Sequence, residues 1–107
     1  MSTITSHILD ISRGCPAAGV EIVLYGQTSD TWQELSRAPA NSDGRIGPWT
    51  GDPGYYKLRF ETGAYFDLQR VSSFYPFVEI HFEIGAGAHY HIPLLLSPWG
   101  YSTYRGS

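Results

Sequence analysis

Residues 77–84 read FVEIHFEI, the clearest alternation of apolar and polar side chains in the chain. In an extended strand successive side chains point to opposite faces, so a period of two predicts a half-buried strand from Phe77 to Ile84. The side predicted to face the core carries Val78, Ile80, Phe82 and Ile84. The alternating polar residues, two glutamates and His81, are predicted to face outward.

Similar short segments lie on both sides of this strand, separated by turn sequences such as NSDG at 41–44 and GDPG at 51–54. The further predicted strands are Thr3 to Asp10, Val20 to Tyr25, Thr31 to Arg37, Tyr55 to Phe60, Ala88 to Ser97 and Tyr101 to Arg105. Pro93 inside one of them predicts an edge position or a bulge, because proline has no N–H to donate. One helix is predicted, from Thr62 to Val71 with Thr62 as its cap. The pattern is typical of an all-β, two-sheet sandwich of about eight strands with one short helix.

Composition limits the possible functions. The length of 107 residues predicts a single domain over 1–107. With seven basic residues and a net charge of −3, no basic surface for nucleic acid can form. No apolar run approaches the ~20 residues of a membrane span, and no signal peptide is visible, so we expect a cytoplasmic protein, with the periplasm left open if a signal was removed. A single cysteine, Cys15, excludes an intrachain disulfide and a four-cysteine zinc site.

Histidines and one arginine are the candidates for chemistry. His7 lies on the first strand, and His89 and His91 share one face of a later strand. Two histidines at this spacing can share a metal ion, but a zinc site needs further ligands and no acidic residue lies nearby, so metal binding is disfavoured. Arg45 directly follows the NSDG turn; it is either a solvated hairpin residue or a clamp for an anionic or amide-rich ligand. A serine hydrolase triad is disfavoured because no G-x-S-x-G motif is present.

Three consecutive leucines, residues 94–96, cannot all face the core of one strand. One of them must therefore face outward. Together with Trp99 and Tyr101 it forms a candidate subunit contact.

Three motifs in colinear order resemble the 5-hydroxyisourate hydrolase family, which is related to transthyretin. They are SHILDISRGCPAAGV near the start, NSDGR in the middle and HYHIPLLLSPWGYSTYRGS from His89 to Ser107. The closing YRGS is the most specific, because transthyretin ends its matching strand differently and lacks histidines at the positions of His7 and His91. The resemblance implies a transthyretin-like sandwich and a homotetramer, a dimer of dimers around a central channel.

By motif, the resemblance also implies site residues and a reaction without metal or cofactor. The catalytic residues would be His7, Arg45, His91 and Ser107, and the substrate-binding residues His7, Arg45 and Tyr104. A histidine pair would activate water to open the six-membered ring of 5-hydroxyisourate, a step in urate degradation. Arg45 would stabilise the substrate anion, and the hydroxyl or carboxylate of Ser107 would orient a histidine.

Two alternative functional hypotheses compete with hydrolysis. One is a non-catalytic transthyretin-like carrier of a small apolar ligand, for which His7, His91 and Arg45 make a poorly suited channel. The other is a purely structural, adhesion-like domain, which predicts a monomer that does not respond to urate-derived compounds.

Overall fold

A computed structural model describes all 107 residues. The strands follow the predicted segments closely, with ends shifted by a few residues. The elements are β1 (Ser2–Asp10), β2 (Cys15–Pro16), β3 (Glu21–Thr28), β4 (Thr31–Pro39), β5 (Arg45–Gly51), β6 (Gly54–Phe60), α1 (Thr62–Leu68), β7 (Val78–Ile84), β8 (His89–Ser97) and β9 (Gly100–Thr103).

The strands form two sheets packed face to face, as the sequence predicts. One sheet has the order β2-β1-β8-β9, with β5 also pairing with β1, and the other has the order β4-β3-β6-β7. All pairings are antiparallel except one, between β1 and β8. That parallel pair joins a strand near the start of the chain to one near its end, and it lies in the middle of the five-stranded sheet.

The predicted inward faces form the core between the sheets. Its most deeply buried aliphatic and aromatic side chains are Ile4, Ile8, Ile22, Leu24, Leu58, Phe60, Leu94 and Leu96. Burying each contributes about 1.5–3 kcal/mol. In β7 the two ends of the inward face are buried, while the middle residues Ile80 and Phe82 are half-buried because β7 is an edge strand. Leu95 is the leucine of the triplet that leaves the core, and it is half-buried.

The helix differs from its prediction at both ends. Glu61 occupies the N-cap position and makes no capping bond through its side chain. Thr62 is instead the first helical residue, and its buried hydroxyl has no hydrogen-bond partner, so the predicted cap is wrong. The helix ends at Leu68 rather than Val71, because Arg70 adopts a left-handed backbone conformation with φ of 59° that no helix can continue.

Pro93 is not on an edge strand, because β8 lies between β1 and β9. Its carbonyl accepts a hydrogen bond from the Thr103 hydroxyl at 2.7 Å, which places its nitrogen on the side facing β9. There the antiparallel ladder stops at the pair Leu94 and Thr103 and resumes only as an isolated bridge between His91 and Gly106. The missing N–H therefore faces an interruption of the ladder, which is how an interior strand tolerates proline.

The sequence patterns did not predict β5 or the two-residue β2. In β5, glycine and proline at Gly47 and Pro48 interrupt any alternation that would mark a strand. Its pairing with β1, from Ser2 with Gly51 to His7 with Arg45, comes from tertiary contacts. This extra strand positions one of the candidate site residues, Arg45.

Candidate active site

The parallel pairing of β1 and β8 aligns threonines with histidines. Thr3 is opposite His89 and Thr5 is opposite His91. Directly opposed residues point to the same face of a sheet, and Ile4 and Ile8 occupy the core face of β1. The threonines and histidines therefore lie together on the outer face of the five-stranded sheet.

Arg45 reaches the same face through a tight turn. The Asn41 side-chain oxygen accepts hydrogen bonds from the backbone N–H groups of Asp43 at 2.9 Å and Arg45 at 3.0 Å, as in an Asx turn. Gly44 has φ of 76°, and a side chain there would collide with the carbonyl of Ile8. The turn thus places Arg45 at the first position of β5, directly opposite His7.

The last residues of the chain fold back onto His91. The Gly106 N–H donates to the His91 carbonyl at 2.8 Å. A Cβ atom at Gly106 would lie 2.5 Å from Cδ2 of the His91 ring, so only glycine allows this approach. The Arg105 guanidinium lies 4.6 Å from the centre of the Tyr90 ring, which holds the tail from the other side. Ser107 is thereby held at the rim of the histidine face.

These elements enclose an open cavity of about 390 Å³. Its lining residues are Thr5, Ser6, Asn41, Arg45, Ile46, Gly47, His89, His91 and Ser107. Ile46 is the single apolar side chain of any size among them, and no aspartate or glutamate lines the cavity. A permanent cation and two imidazoles, with no acidic side chain among the lining residues, make this cavity suited to a polar, anionic ligand.

Electrostatics keep His91 neutral. Burial lowers the pKa of the His91 imidazole below its ordinary value of 6.5, and electrostatic repulsion from Arg45 and the neighbouring histidines lowers it further. Near pH 7 the neutral form therefore predominates. A neutral imidazole can accept a proton, which is the requirement for a general base.

A hydrogen bond leaves one His91 nitrogen available. The Thr5 hydroxyl oxygen lies 2.8 Å from Nδ1 of His91, and Nε2 makes no hydrogen bond within the chain. The same Thr5 oxygen lies 3.3 Å from Nε2 of His89, whose Nδ1 is 2.6 Å from the Thr3 hydroxyl. The ring of His91 is thus fixed at Nδ1, while Nε2 is free for a ligand.

The structure brings together most of the residues named from the sequence. Arg45, His91 and Ser107 line one cavity, and His7 lies beside it on the same face, close enough for its charge to lower the pKa of His91. Tyr104 lies apart: it is 59% exposed and lines a different cavity with residues of β7. The catalytic and binding roles of these residues stay predictions.

Sequence reasoning missed Thr5 and Asn41. The alternation in β1 puts Thr5 on the same face as His7, but no local signal shows which strand pairs with β1. The sequence predicts Asn41 only as part of the NSDG turn. Its place at the start of a turn that leads into Arg45 is the one sequence feature that indicates a position near the site.

Neither metal binding nor membrane insertion gains support from the geometry. No group of three or more His, Cys, Asp or Glu side chains is arranged to hold a metal ion. The single helix, of seven residues, is far too short to cross a bilayer.

Comparison with known proteins assigns this architecture to a family. The model of the HIUase/Transthyretin family matches residues 4–106, which is nearly the whole chain. The chain belongs to the HIUase/Transthyretin family. A family member from Schizosaccharomyces pombe, named "Probable 5-hydroxyisourate hydrolase", is 47% identical over 112 residues, covering 97% of this chain and 90% of the relative.

Solved structures of the family share the fold. The structure of Klebsiella pneumoniae 5-hydroxyisourate hydrolase matches with a TM-score of 0.90 and 40% identity, covering 100% of this chain and 94% of that one. Sea bream transthyretin in complex with thyroxine matches with a TM-score of 0.91 and 29% identity, covering 96% of this chain and 93% of that one. Within this family the fold therefore accompanies both a hydrolase and a protein solved in complex with thyroxine, so the fold alone does not indicate the function.

Proposed function

We propose that this chain hydrolyses 5-hydroxyisourate to 5-hydroxy-2-oxo-4-ureido-2,5-dihydro-1H-imidazole-5-carboxylate, a reaction of urate degradation. The observation that carries the proposal is the cavity that Arg45, His91 and Ser107 share, lined by no acidic side chain. The names of the relatives at 47% and 40% identity supply the substrate. A thyroxine-like apolar ligand suits the cavity poorly, since Ile46 is its one sizeable apolar side chain.

His91 is the better candidate for the general base of the pair. Its pKa is lowered by burial, and its free Nε2 faces away from the Thr5 hydroxyl that occupies Nδ1. In the proposed mechanism Nε2 takes a proton from the attacking water, and His7 supports proton transfer to the ring nitrogen that leaves. A positioned base and acid of this kind contribute about 10²- to 10⁴-fold each.

Arg45 supplies the permanent positive charge. Its guanidinium binds the flat, acidic heterocycle and stabilises the oxyanion that forms when water adds to the carbonyl carbon. Ser107, at the rim of the same cavity, is proposed to orient the substrate or a histidine. Tyr104 lies outside the cavity of its own protomer, so its proposed role in binding requires it to reach the site of a neighbouring subunit.

That requirement fits a homotetramer, a dimer of dimers, which we propose as the working assembly. The residues named from sequence as a contact are available for it, because Leu95 is half-buried, Trp99 is 67% exposed and Tyr101 is 42% exposed. Native mass spectrometry tests the assembly: a species of four 11.9 kDa chains is expected, and a monomer at all concentrations contradicts it.

The test of the reaction is direct. Freshly generated 5-hydroxyisourate decays spontaneously, and its ultraviolet absorbance is expected to disappear faster in the presence of the protein, with first-order dependence on protein concentration. Trapping the ureido-imidazoline carboxylate by NMR identifies the product. If the protein binds 5-hydroxyisourate or a purine analogue but does not accelerate the decay of 5-hydroxyisourate, the hypothesis of a non-catalytic carrier replaces this proposal.

A further inference from the structure

Asn41 is the one asparagine of the chain, and the turn that leads to Arg45 uses almost all of its polar atoms. Its backbone N–H donates to the Arg45 carbonyl at 3.0 Å, and its backbone carbonyl accepts from the Gly44 N–H at 2.9 Å. Its side-chain Oδ1 accepts from the N–H groups of Asp43 and Arg45. The amide nitrogen Nδ2 makes no hydrogen bond within the chain, so it is the polar group that Asn41 has free in the cavity that it lines.

These contacts fix the orientation of the Asn41 amide group. If the amide turned over, its NH₂ group would meet the two backbone N–H groups that Oδ1 now accepts from, so two hydrogen bonds would be lost and donors would face donors. An unrestrained asparagine can present either its oxygen or its nitrogen to a ligand. The Asx turn leaves Asn41 only the nitrogen, so this side chain can donate to a ligand but not accept from it.

Arg45 extends the same donor surface. A guanidinium group carries N–H donors and no acceptor. Arg45 and Asn41 line the same cavity and are joined through the backbone hydrogen bonds of the turn. A ligand that meets this side of the cavity therefore finds side-chain N–H groups only. Carbonyl or anionic oxygens satisfy such groups, whereas an amino group of the ligand would place a donor against a donor.

The proposed substrate has oxygens in the arrangement that two neighbouring donors require. The ureido group of the product shows that the leaving ring nitrogen lies between two carbonyl groups, the one attacked by water and the one that becomes the urea carbonyl. The two oxygens thus lie on the same side of the flat ring system, on either side of the bond that is cleaved.

We propose that Asn41 is a substrate-binding residue that donates an Nδ2–H hydrogen bond to this urea carbonyl oxygen, and that it selects oxo-substituted heterocycles against amino-substituted ones. The inference rests on the proposed function and adds a specificity-determining residue to it. Arg45 binds the oxygen of the carbonyl that is attacked, and Asn41 binds the second oxygen, which fixes the rotation of the ring in the cavity. Replacing the second oxygen by an amino group leaves the Asn41 donor without an acceptor, and a lost partner of this kind weakens binding about tenfold or more.

Two stable purine analogues test the selectivity without turnover. 8-Azaxanthine carries an oxygen at the ring position next to the pyrimidine carbonyl that 8-azaguanine shares with it, and 8-azaguanine carries an amino group there. Isothermal titration of the wild-type protein should give a Kd for 8-azaxanthine about tenfold or more below that for 8-azaguanine. Equal affinities for the two analogues would overturn the inference.

Asn41→Asp separates the donor from the turn. An aspartate oxygen can accept from the same two N–H groups, so the turn and the place of Arg45 are kept while Nδ2 is replaced by an acceptor. We expect N41D to lose the preference for 8-azaxanthine. Ser42→Asp is the matched control for the added charge, because Ser42 is the next residue of the turn, is exposed and does not line the cavity. S42D should keep the wild-type preference.

Asn41→Ser removes the donor without adding charge, since a short hydroxyl can hold the turn but does not extend into the cavity. N41S should also lose most of the preference, and the KM for 5-hydroxyisourate should rise about tenfold with a smaller change in kcat. If N41D alone changes the preference, charge explains the result and the inference fails. If both variants weaken the two analogues equally, Asn41 only supports the turn, which also overturns the inference.

Turnover distinguishes this inference from the proposed reaction. If the wild-type protein hydrolyses 5-hydroxyisourate while N41D and N41S keep its preference between the analogues, only the role of Asn41 fails. If the wild-type protein does not accelerate the decay of 5-hydroxyisourate, the proposed function fails, whichever analogue it prefers.

Discussion

The outer faces of the two sheets differ in whether their cationic side chains have acidic partners. On the four-stranded sheet each lysine and arginine has an acidic partner. The ion pairs are Arg37 with Glu21 and Glu34, Arg59 with Glu61 and Glu79, and Lys57 with Glu79. On the five-stranded sheet Arg45 and the histidines around it have none. Exposed ion pairs add little stability, but they neutralise a surface. On the unpaired face the charge of Arg45 is left without a neutralising side chain, as the proposed binding of an anionic substrate requires.

On the outer face of the four-stranded sheet, the face with the ion pairs, two arginines also cover an apolar side chain. Val23 is 1% exposed although it points away from the core, because its strand partners are Arg37 and Arg59. Their long apolar stems cover it while their charged ends meet carboxylates. Arg37 and Arg59 thus have a structural role in covering Val23 and pairing with carboxylates, whereas Arg45 makes no comparable contact.

The largest effect is expected from His91→Asn, which removes the proposed base while keeping a polar side chain. We expect kcat/KM for 5-hydroxyisourate to fall about 10²- to 10⁴-fold, since a positioned general base contributes that much. His81→Asn on the opposite sheet is the matched control, because His81 is an exposed histidine 4.0 Å from Glu79. Equal activities of H91N and H81N would contradict the contrast between the two faces.

Arg45→Ala should follow, with a loss of about 10²- to 10³-fold in kcat/KM, the usual cost of removing one oxyanion-stabilising group. Arg37→Ala is the control on the paired face and should hydrolyse the substrate like wild type. Circular dichroism checks that both variants remain folded. Should R37A lose as much activity as R45A, the unpaired charge would have no special role.

The pH profile of kcat/KM reports the state of His91. Its pKa lies below 6.5, so the neutral base persists at pH 7 and is lost as the pH falls through that lowered value. Activity is expected to be level between about pH 7 and 8 and to fall below about pH 6, approaching tenfold per unit once the imidazole is protonated. A profile that is flat from pH 5 to 8 would exclude a histidine base.

A smaller effect is expected when the tail is displaced from His91. In Gly106→Ala the new Cβ would lie 2.5 Å from Cδ2 of the His91 ring, so the ring or the tail must move. We expect kcat to fall about tenfold, because misplacement of a catalytic group by even about 1 Å is costly, with little change in thermal stability. Gly100→Ala is the control, since its nearest neighbour would be the Ser97 hydroxyl at 3.9 Å. Similar kcat values for the two variants would show that the tail does not position His91.

Local patterns predicted most of the fold and only part of the site. Alternation in β1 and β7 identified the buried faces because side-chain direction depends only on the neighbouring residues. The partner of β1 was not predictable, since Thr5 and His91 are separated by 86 positions and nothing local specifies their pairing. The resemblance of motifs supplied His7, Arg45 and His91, whereas Thr5 became visible only through the register of two distant strands.

The parallel pair of β1 and β8 also orders events during folding. The hairpin of β3 with β4 closes a short segment of chain, and the pairing of β6 with β7 closes a connection that contains only α1, whereas joining β1 to β8 closes a loop that spans most of the sequence. Loops of that length close at a higher entropic cost and form later. When denatured protein is diluted into buffer, strand signals should therefore return before hydrolytic turnover does, and the delay between them measures how long the two ends of the polypeptide take to find each other.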